Sequence, residues 1–335
     1  MQDIGCLLDR RAAQQMVSNQ PIRRRRPLMR SAFSRTAIAL LLAGSLSACM
    51  SPQPANADDS GSNAPKALTL DQPSAEPGPE CKPLDPSAPL QPVQLKQSFV
   101  DDFSAPKLQT DLWETHYPGP DDQAQNRTLP TNSEQQIYVD RDFKSAGIDP
   151  FNLHDGMLSI TVNKTPDALV DGFKGLRYTS GLITTRQSFQ QTYGYFEIKA
   201  RVPRGKALWP AFWLLRVKGG WPPEIDVMEV LNGNKPEDVF MTTHWKEQGL
   251  GKHQRTYCQL RVPDVDKAFH TYGVLWTEQR IVYYLDRKPI GQFATPAGLD
   301  HPMYMLANMA VQKGANEKTP MGASFDIDWI AAYEQ

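Results

Sequence analysis

From about Phe99 to the end of the chain, apolar residues come in short runs that alternate with polar ones at a period of two, separated by turn residues. The clearest runs are GMLSITVNK (156–164), YGYFEIKARV (193–202), TYGVLWTE (271–278), RIVYYLDRKPIGQF (280–293) and SFDIDWIAAYE (324–334). Successive side chains of a strand point to opposite faces. In YGYFEIKARV this sets Tyr195, Glu197, Lys199 and Arg201 on one face and Phe196, Ile198, Ala200 and Val202 on the other. The runs are rich in β-branched and aromatic residues, which suit a half-buried pleat. Asp286-Arg287-Lys288 predicts a hairpin between two of them. No apolar pattern at helical spacing is long enough to predict a helix of any length. Many short strands in a domain of this size predict an all-β sandwich or barrel. With no internal repeat and no second break in composition, one folded domain is expected over 95–335.

Upstream the texture changes. Residues 50–94 are rich in Pro, Ser, Ala and Asp and poor in aromatics. Such a segment buries too little surface to fold, and predicts a tether over 49–94. Before it, MRSAFSRTAIALLLAGSLSAC (29–49) has a positive start, an apolar stretch of signal-peptide length and small residues ahead of a cysteine. The apolar stretch is too short to span a membrane as a mature helix. Leu46-Ser47-Ala48-Cys49 resembles the lipobox of bacterial lipoproteins. That implies a lipoprotein-type signal peptide over 29–48 and lipidation of Cys49; ordinary cleavage after Ser47-Ala48 is the alternative. Met29 then reads as the start, and residues 1–28, with the basic run Arg23–Arg26, as untranslated or as an extension of the leader. Either way the protein is expected to be exported, and Ser51 two places after Cys49 points to an outer-membrane lipoprotein rather than a secreted or periplasmic protein.

Charge and cysteines refine this picture. The 36 Lys and Arg balance 37 Asp and Glu, for a formal net charge of −1. Nothing marks a polyanion-binding surface, so no nucleic acid partner is expected, and the protein reads as a monomer. If Cys6 is untranslated and Cys49 carries lipid, Cys81 and Cys258 remain. In an oxidising compartment they predict either a disulfide pinning the end of the tether or two free thiols.

The candidate chemistry lies in WPPEIDVMEV (221–230), which packs Glu224, Asp226 and Glu229 into six residues among apolar neighbours. In a regular strand Glu224 and Asp226 share a face and Glu229 does not. A β-bulge between Asp226 and Glu229 shifts the alternation by one and turns all three to the same face. At ~3.3 Å per residue the two glutamates are then ~13 Å apart at Cα. Long side chains leaning over a shorter central one can bring their carboxyls to the ~5 to 5.5 Å of a retaining glycosidase pair.

EIDVME resembles the signature of glycoside hydrolase family 16 in its bulged Glu-x-Asp-x-x-Glu form, as in laminarinases. FVDDFSAP (99–106), NSEQQIYVD (132–140), YTSGLITT (178–185), YGYFEIKARVPRGKALWPAFWLL (193–215), FHTYGVLWTEQRIVYYLD (269–286) and PMYMLANMAV (302–311) resemble family segments in the right order. The resemblance implies a jelly-roll β-sandwich of two curved antiparallel sheets with a concave glycan-binding cleft. It implies Glu224 as nucleophile, Glu229 as general acid/base, and Asp226 between them, sharing a proton with Glu224 and tuning it. Aromatic rings stack on sugar faces. Trp209, Trp221 and Trp245, beside Pro, Gly or polar residues, are therefore expected in the cleft, and Trp213 and Trp276 read as core. His244, Asn132 and Glu134 match cleft-lining positions, and Asn308 more weakly. A structural calcium on the convex side, held by Asp328 and the backbone of Gly156, is a further expectation, with no cofactor for catalysis.

The expected activity is endo-acting, retaining hydrolysis of β-1,3 or mixed β-1,3/1,4-glucan. WPPEIDVME is also similar to relatives that trim a succinoglycan-like exopolysaccharide. A transglycosylase shares the same three acids. A non-catalytic carbohydrate-binding lipoprotein would lose at least one of them, and all three are present. After LANMAV the chain departs from laminarinase-like relatives: QKGANEKTPMG (312–322) stands where they carry glycines and a tryptophan, in a loop expected to border the leaving-group side of the cleft.

Overall fold

The computed structural model describes residues 66–218, 220–231 and 237–335. The leader, Cys49 and the tether up to residue 65 lie outside the described residues. In chain order the strands are β1 (Ala67–Pro73), β2 (Lys82–Pro83), β3 (Leu90–Asp101), β4 (Gln136–Tyr138), β5 (Phe151–His154), β6 (Met157–Thr161), β7 (Asn163–Lys164), β8 (Tyr178–Ser180) and β9 (Leu182–Thr184). They continue with β10 (Gly194–Arg201), β11 (Leu208–Arg216), β12 (Glu224–Val230), β13 (Asp238–Lys246), β14 (His253–Arg261), β15 (His270–Trp276), β16 (Arg280–Leu285), β17 (Lys288–Ala294), β18 (Met303–Val311) and β19 (Ser324–Glu334).

Two antiparallel sheets form the sandwich. One has the order β1-β3-β19-β10-β15-β16-β17-β2, with β5 and β6 branching from β19; the other runs β14-β13-β12-β11-β18-β9. A third sheet, β4-β8-β7, contains a parallel β4–β8 pair that the expected two-sheet plan does not include. The main core lies between the large sheets and includes Phe196, Ile198, Phe212, Leu214, Ile225, Val227, Met228, Val274, Trp276, Met305 and Ile330. The period-two pattern of the sequence therefore decides which face of each strand is dry. The turn at Asp286-Arg287, with φ of 49° and 59°, supplies the two left-handed residues that a tight two-residue hairpin requires.

The expected tether boundary at residue 94 is corrected. Residues 67–73 and 90–101 pair as β1 and β3, and β3 docks on β19. The physical reason is a second apolar layer. Leu70, Val93 and Leu95 cover Tyr195, Leu275, Val282, Tyr284 and Tyr333 on the far side of the first sheet. The polar-looking face of β10 is thus also covered, and Glu197 is fully buried, held by Arg287 at 2.6 and 3.0 Å. The Pro and Ser residues that suggested a tether mask the short alternation Val93-x-Leu95.

Cys81, just before β2, is disulfide-bonded to Cys258 in β14. β2 pairs with β17, so the bond ties the edge of one sheet to the edge strand of the other. A Cβ on Gly291 would come within 2.7 Å of Cys258 Sγ and 2.8 Å of Cys81 Sγ, so glycine is required beneath the bond. Replacing both cysteines with serine is expected to lower the unfolding free energy by about 2 to 5 kcal/mol. Guanidinium denaturation of both proteins without reductant measures the difference.

Candidate active site

The register of β12 places the three acids. Against β13, Asp226 faces Thr242 and Glu229 faces Phe240, three steps on one strand against two on the other. Against β11, Asp226 faces Trp213 and Met228 faces Phe212, so one extra residue is accommodated there too. This is the bulge. Val227 and Met228 are consecutive yet both fully buried in the core, and after them the alternation resumes one place out of step. Glu224, Asp226 and Glu229 therefore all turn away from the core. On the same face of neighbouring strands stand Trp209 and Trp213 from β11, His244 from β13 and Asn308 from β18.

Indole N–H groups hold the two outer acids. Trp209 Nε1 donates to Glu229 Oε1 at 3.0 Å, and Trp221 Nε1 donates to Glu224 Oε2 at 3.0 Å. His244 Nε2 lies 3.2 Å from Asp226 Oδ2 and 3.8 Å from Glu224 Oε1. One ligand atom each from Glu224, Asp226 and His244 falls within 4.8 Å of the others. Burial raises all three carboxyls above the ordinary range, Glu224 and Asp226 strongly. After burial, the charge of Asp226 raises Glu224 most, and that of Glu229 raises Asp226. For Glu229 the opposing influences are His244, the Trp209 N–H and the positive charge of Arg255. Acids this close do not all ionise at neutral pH, so the group titrates as a unit and retains a proton. Taken singly, Glu224 is pushed up more than Glu229, which would leave it protonated. Solvent access argues otherwise. The Glu224 side chain is 16% exposed and that of Asp226 5%, and Asp226 Oδ2 is buried without an aligned hydrogen bond. Asp226 is thus the better holder of the shared proton, leaving Glu224 charged beside the Trp221 N–H.

His253, in β14, has no counterpart among the expected residues. Its Nε2 lies 2.8 Å from His244 Nδ1, the two rings stack with centroids 5.1 Å apart, and Trp221 packs 4.6 Å from the His253 ring. Burial lowers the pKa of both histidines, favouring neutral rings. A proton on His244 Nε2 faces two carboxylates, where a lone pair would be repelled. His244 Nδ1 then accepts from His253 Nε2–H. The pair fixes the edge of His244 that faces the acids.

The model of glycosyl hydrolases family 16 matches residues 140–331. The chain belongs to glycosyl hydrolases family 16. It is 40% identical over 249 residues to an endo-1,3-1,4-beta-glycanase, ExsH, of Rhizobium meliloti, an alignment covering 71% of this chain and 52% of the relative. It is 30% identical over 226 residues to a beta-glucanase of Rhodothermus marinus, covering 60% of this chain and 74% of that one. Among solved structures, the laminarinase catalytic domain of Thermotoga maritima superposes with a TM-score of 0.59 at 25% identity, covering 72% of this chain and 98% of that one. The chain spans about half the length of the first curated relatives it matches, 52% of each. The fold is the jelly-roll β-sandwich of these family 16 laminarinases.

Of the other expected family 16 positions, some fall where they were expected and some do not. Trp245 is corrected: it follows His244 on β13, points to the opposite face and packs against the main core. Trp276 is core, with its N–H donated to Leu299 O at 3.1 Å. Trp213 is buried on the cleft side, donating to Asn308 Oδ1 at 2.7 Å, and Asn308 Nδ2 in turn donates to Tyr138 Oη at 2.9 Å. Asn132 is exposed at the end of a 3-10 turn. Glu134 is buried, accepting from Leu129 N at 3.0 Å and Gln136 Nε2 at 2.7 Å, and burial pushes its pKa to about 7. Gln135 N donates to Val311 O, and Val311 pairs with Leu208. That ties the 132–134 turn to the Trp209 end of β11. Glu134 thus organises this turn from beneath, whereas Asn132 is open to solvent.

The calcium expectation meets an obstacle. Asp328 follows the β19 residues that pair with β6, close to the Gly156 turn, as the resemblance implies. Its Oδ2, however, is held by Lys199 Nζ at 2.6 Å. An ammonium group already neutralises that carboxylate. Among the described residues the one acid and histidine group spaced like metal ligands is Glu224, Asp226 and His244. The side chains present do not fit a calcium ion bound through Asp328.

Proposed function

We propose that the protein is a retaining, endo-acting β-glycan hydrolase that cleaves β-1,3 or mixed β-1,3/1,4-glucan by double displacement. The observation that carries this reading is the register shift between Asp226 and Glu229, which turns three carboxylates to one face. Glu224 attacks the anomeric carbon, and Glu229 protonates the departing oxygen and then deprotonates the incoming water. Asp226 holds a proton next to Glu224 and takes up part of the charge change as the glycosyl ester forms and breaks. Trp209 and Trp221 orient the two glutamates and present ring surface to sugars. The activities named for the relatives, endo-1,3-1,4-beta-glycanase and beta-glucanase, support the substrate class. Digestion of a panel of laminarin, lichenan, agarose, carrageenan and bacterial exopolysaccharides, with products sized, tests it. Oligosaccharides from laminarin or lichenan are expected; release only from agarose or carrageenan overturns the substrate class.

Asp226→Asn gives a pH test. With the shared proton on Asp226, the residue beside Glu224 is already neutral where Glu224 ionises, and a neutral Asn changes little there; the charge of Asp226 would raise Glu224 only if the proton sat on Glu224 instead. The acid limb of the kcat/KM profile on laminarin is therefore expected to stay in place. A limb that moves to lower pH contradicts Asp226 as the holder of the proton.

The cell-envelope reading is retained as part of the proposal. Its support is the lipobox-like Leu46-Ser47-Ala48-Cys49, and the test is mass spectrometry of the mature N-terminus from a bacterial membrane fraction. Acylated Cys49 is expected; an unmodified N-terminus at Met50 or earlier overturns it.

A further inference from the structure

Strand β14 carries a row of side chains that the catalytic reading does not use. His253, Arg255, Tyr257, Gln259 and Arg261 alternate with Thr256 and Cys258, and the two latter are buried. His253 touches His244, and the charge of Arg255 acts on Glu229, so this row faces the cleft. The register extends the floor outward strand by strand. Asp226 faces Thr242, which faces Tyr257, and Glu224 faces His244, which faces Arg255. At ~4.8 Å per ladder, Tyr257 lies roughly 10 Å from Asp226 across the sheet.

Tyr257 is 50% exposed, one of the most open large aromatics among the described residues. Its ring is braced from β13 by Phe240, 6.2 Å away. Among the described residues no carboxylate lies within ion-pair distance of the Arg255 guanidinium, which sits one place along the same row. Directly behind, Cys258 is covalently held to Cys81, so an edge strand that would otherwise fray is fixed to the body of the protein. An open, braced ring beside a guanidinium with no ion-pair partner among the described residues, on a strand in line with the acids, is what a pyranose needs: a flat apolar face to stack on and donors for its hydroxyls.

The direction of the chain follows from the two glutamates. Both lie on β12 and must flank the scissile bond from opposite sides, so a glycan bound between them crosses that strand, and on one side of it the polymer passes over β13 to β14. Resting on the proposed glycan-hydrolase activity, we infer that Tyr257 and Arg255 form a distal glycan subsite, filled only by substrates long enough to reach the sheet edge.

The experiment measures kcat/KM on a ladder of β-glucan oligosaccharides of increasing length, for the wild type, Tyr257→Ala and Tyr257→Phe. Wild-type kcat/KM is expected to rise with length until the chain reaches β14. Tyr257→Ala should lose the last rise, about tenfold, while Tyr257→Phe, which keeps the stacking face, should retain it. Melting temperatures of the three proteins show whether the exposed ring also supports folding; equal values with a lost rise sustain the subsite. A Tyr257→Ala ladder as steep as wild type, or loss in both variants alike, overturns the subsite and leaves the hydrolase reading standing. A wild type that cleaves no β-glucan on the ladder overturns both.

Discussion

Glu224→Ala is expected to abolish turnover of every substrate, polysaccharide and activated aryl glycoside alike. A nucleophile is needed whatever the leaving group, because the glycosyl ester through which both steps pass forms on its oxygen. Removing such a member of a catalytic unit costs on the order of 10⁶-fold in rate. The structure gives the substitution little reach beyond chemistry: Glu224 begins its strand on the cleft side, and its partner Trp221 is 42% exposed. The protein should fold, bind glycan and fail to cleave it. Initial rates on laminarin and on dinitrophenyl glycosides, with circular dichroism as a folding control, make the comparison. Measurable cleavage of the aryl glycoside by Glu224→Ala would remove it from the nucleophile role.

Glu229→Ala should separate the two steps. A sugar alkoxide leaves poorly unless protonated, whereas dinitrophenolate needs no acid. Polysaccharide activity should fall by the 10²- to 10⁴-fold typical of general acid/base catalysis, while glycosyl-enzyme forms from the aryl glycoside at nearly the normal rate. The intermediate then accumulates as a burst because no base activates water. Added azide should speed its breakdown to a β-glycosyl azide. The α-azide, or equal loss of the first step on both substrates, would mean that Glu224 and Glu229 have exchanged roles. Trp209, which donates to Glu229 at 3.0 Å, gives an internal check: Trp209→Phe should weaken polysaccharide cleavage more than aryl glycoside cleavage.

The parts of this molecule that were legible in sequence are those governed by local alternation. Runs such as YGYFEIKARV declare strands, and the acids of EIDVMEV, with Val227 and Met228 between them, declare a bulge that the register then displays. What alternation cannot say is which strand lies beside which. Trp245 looked like a cleft residue because its neighbours are polar, yet the residue before it faces the acids and the pleat sends Trp245 to the core. His253, Arg255 and Tyr257 carry their spacing openly in HQRTY, but their importance depends on β14 pairing with β13, a relation absent from the string. The β1–β3 hairpin was hidden for a related reason. Its apolar residues are few, and they matter because Tyr195, Tyr284 and Tyr333 wait on the far side of the sheet to be covered. Lys199 and Asp328 are 129 positions apart in sequence, and only the β10–β19 pairing shows that a lysine stands where a cation was expected.

The most direct measurement follows the first sugar released from laminarin by proton NMR, before mutarotation sets in. Two displacements on one face-sharing set of acids predict the β-anomer as the initial product, with the α-anomer growing later at the spontaneous rate. An initial α-anomer would show a single displacement by water, and would contradict the account of Glu224 as nucleophile on a bulged strand.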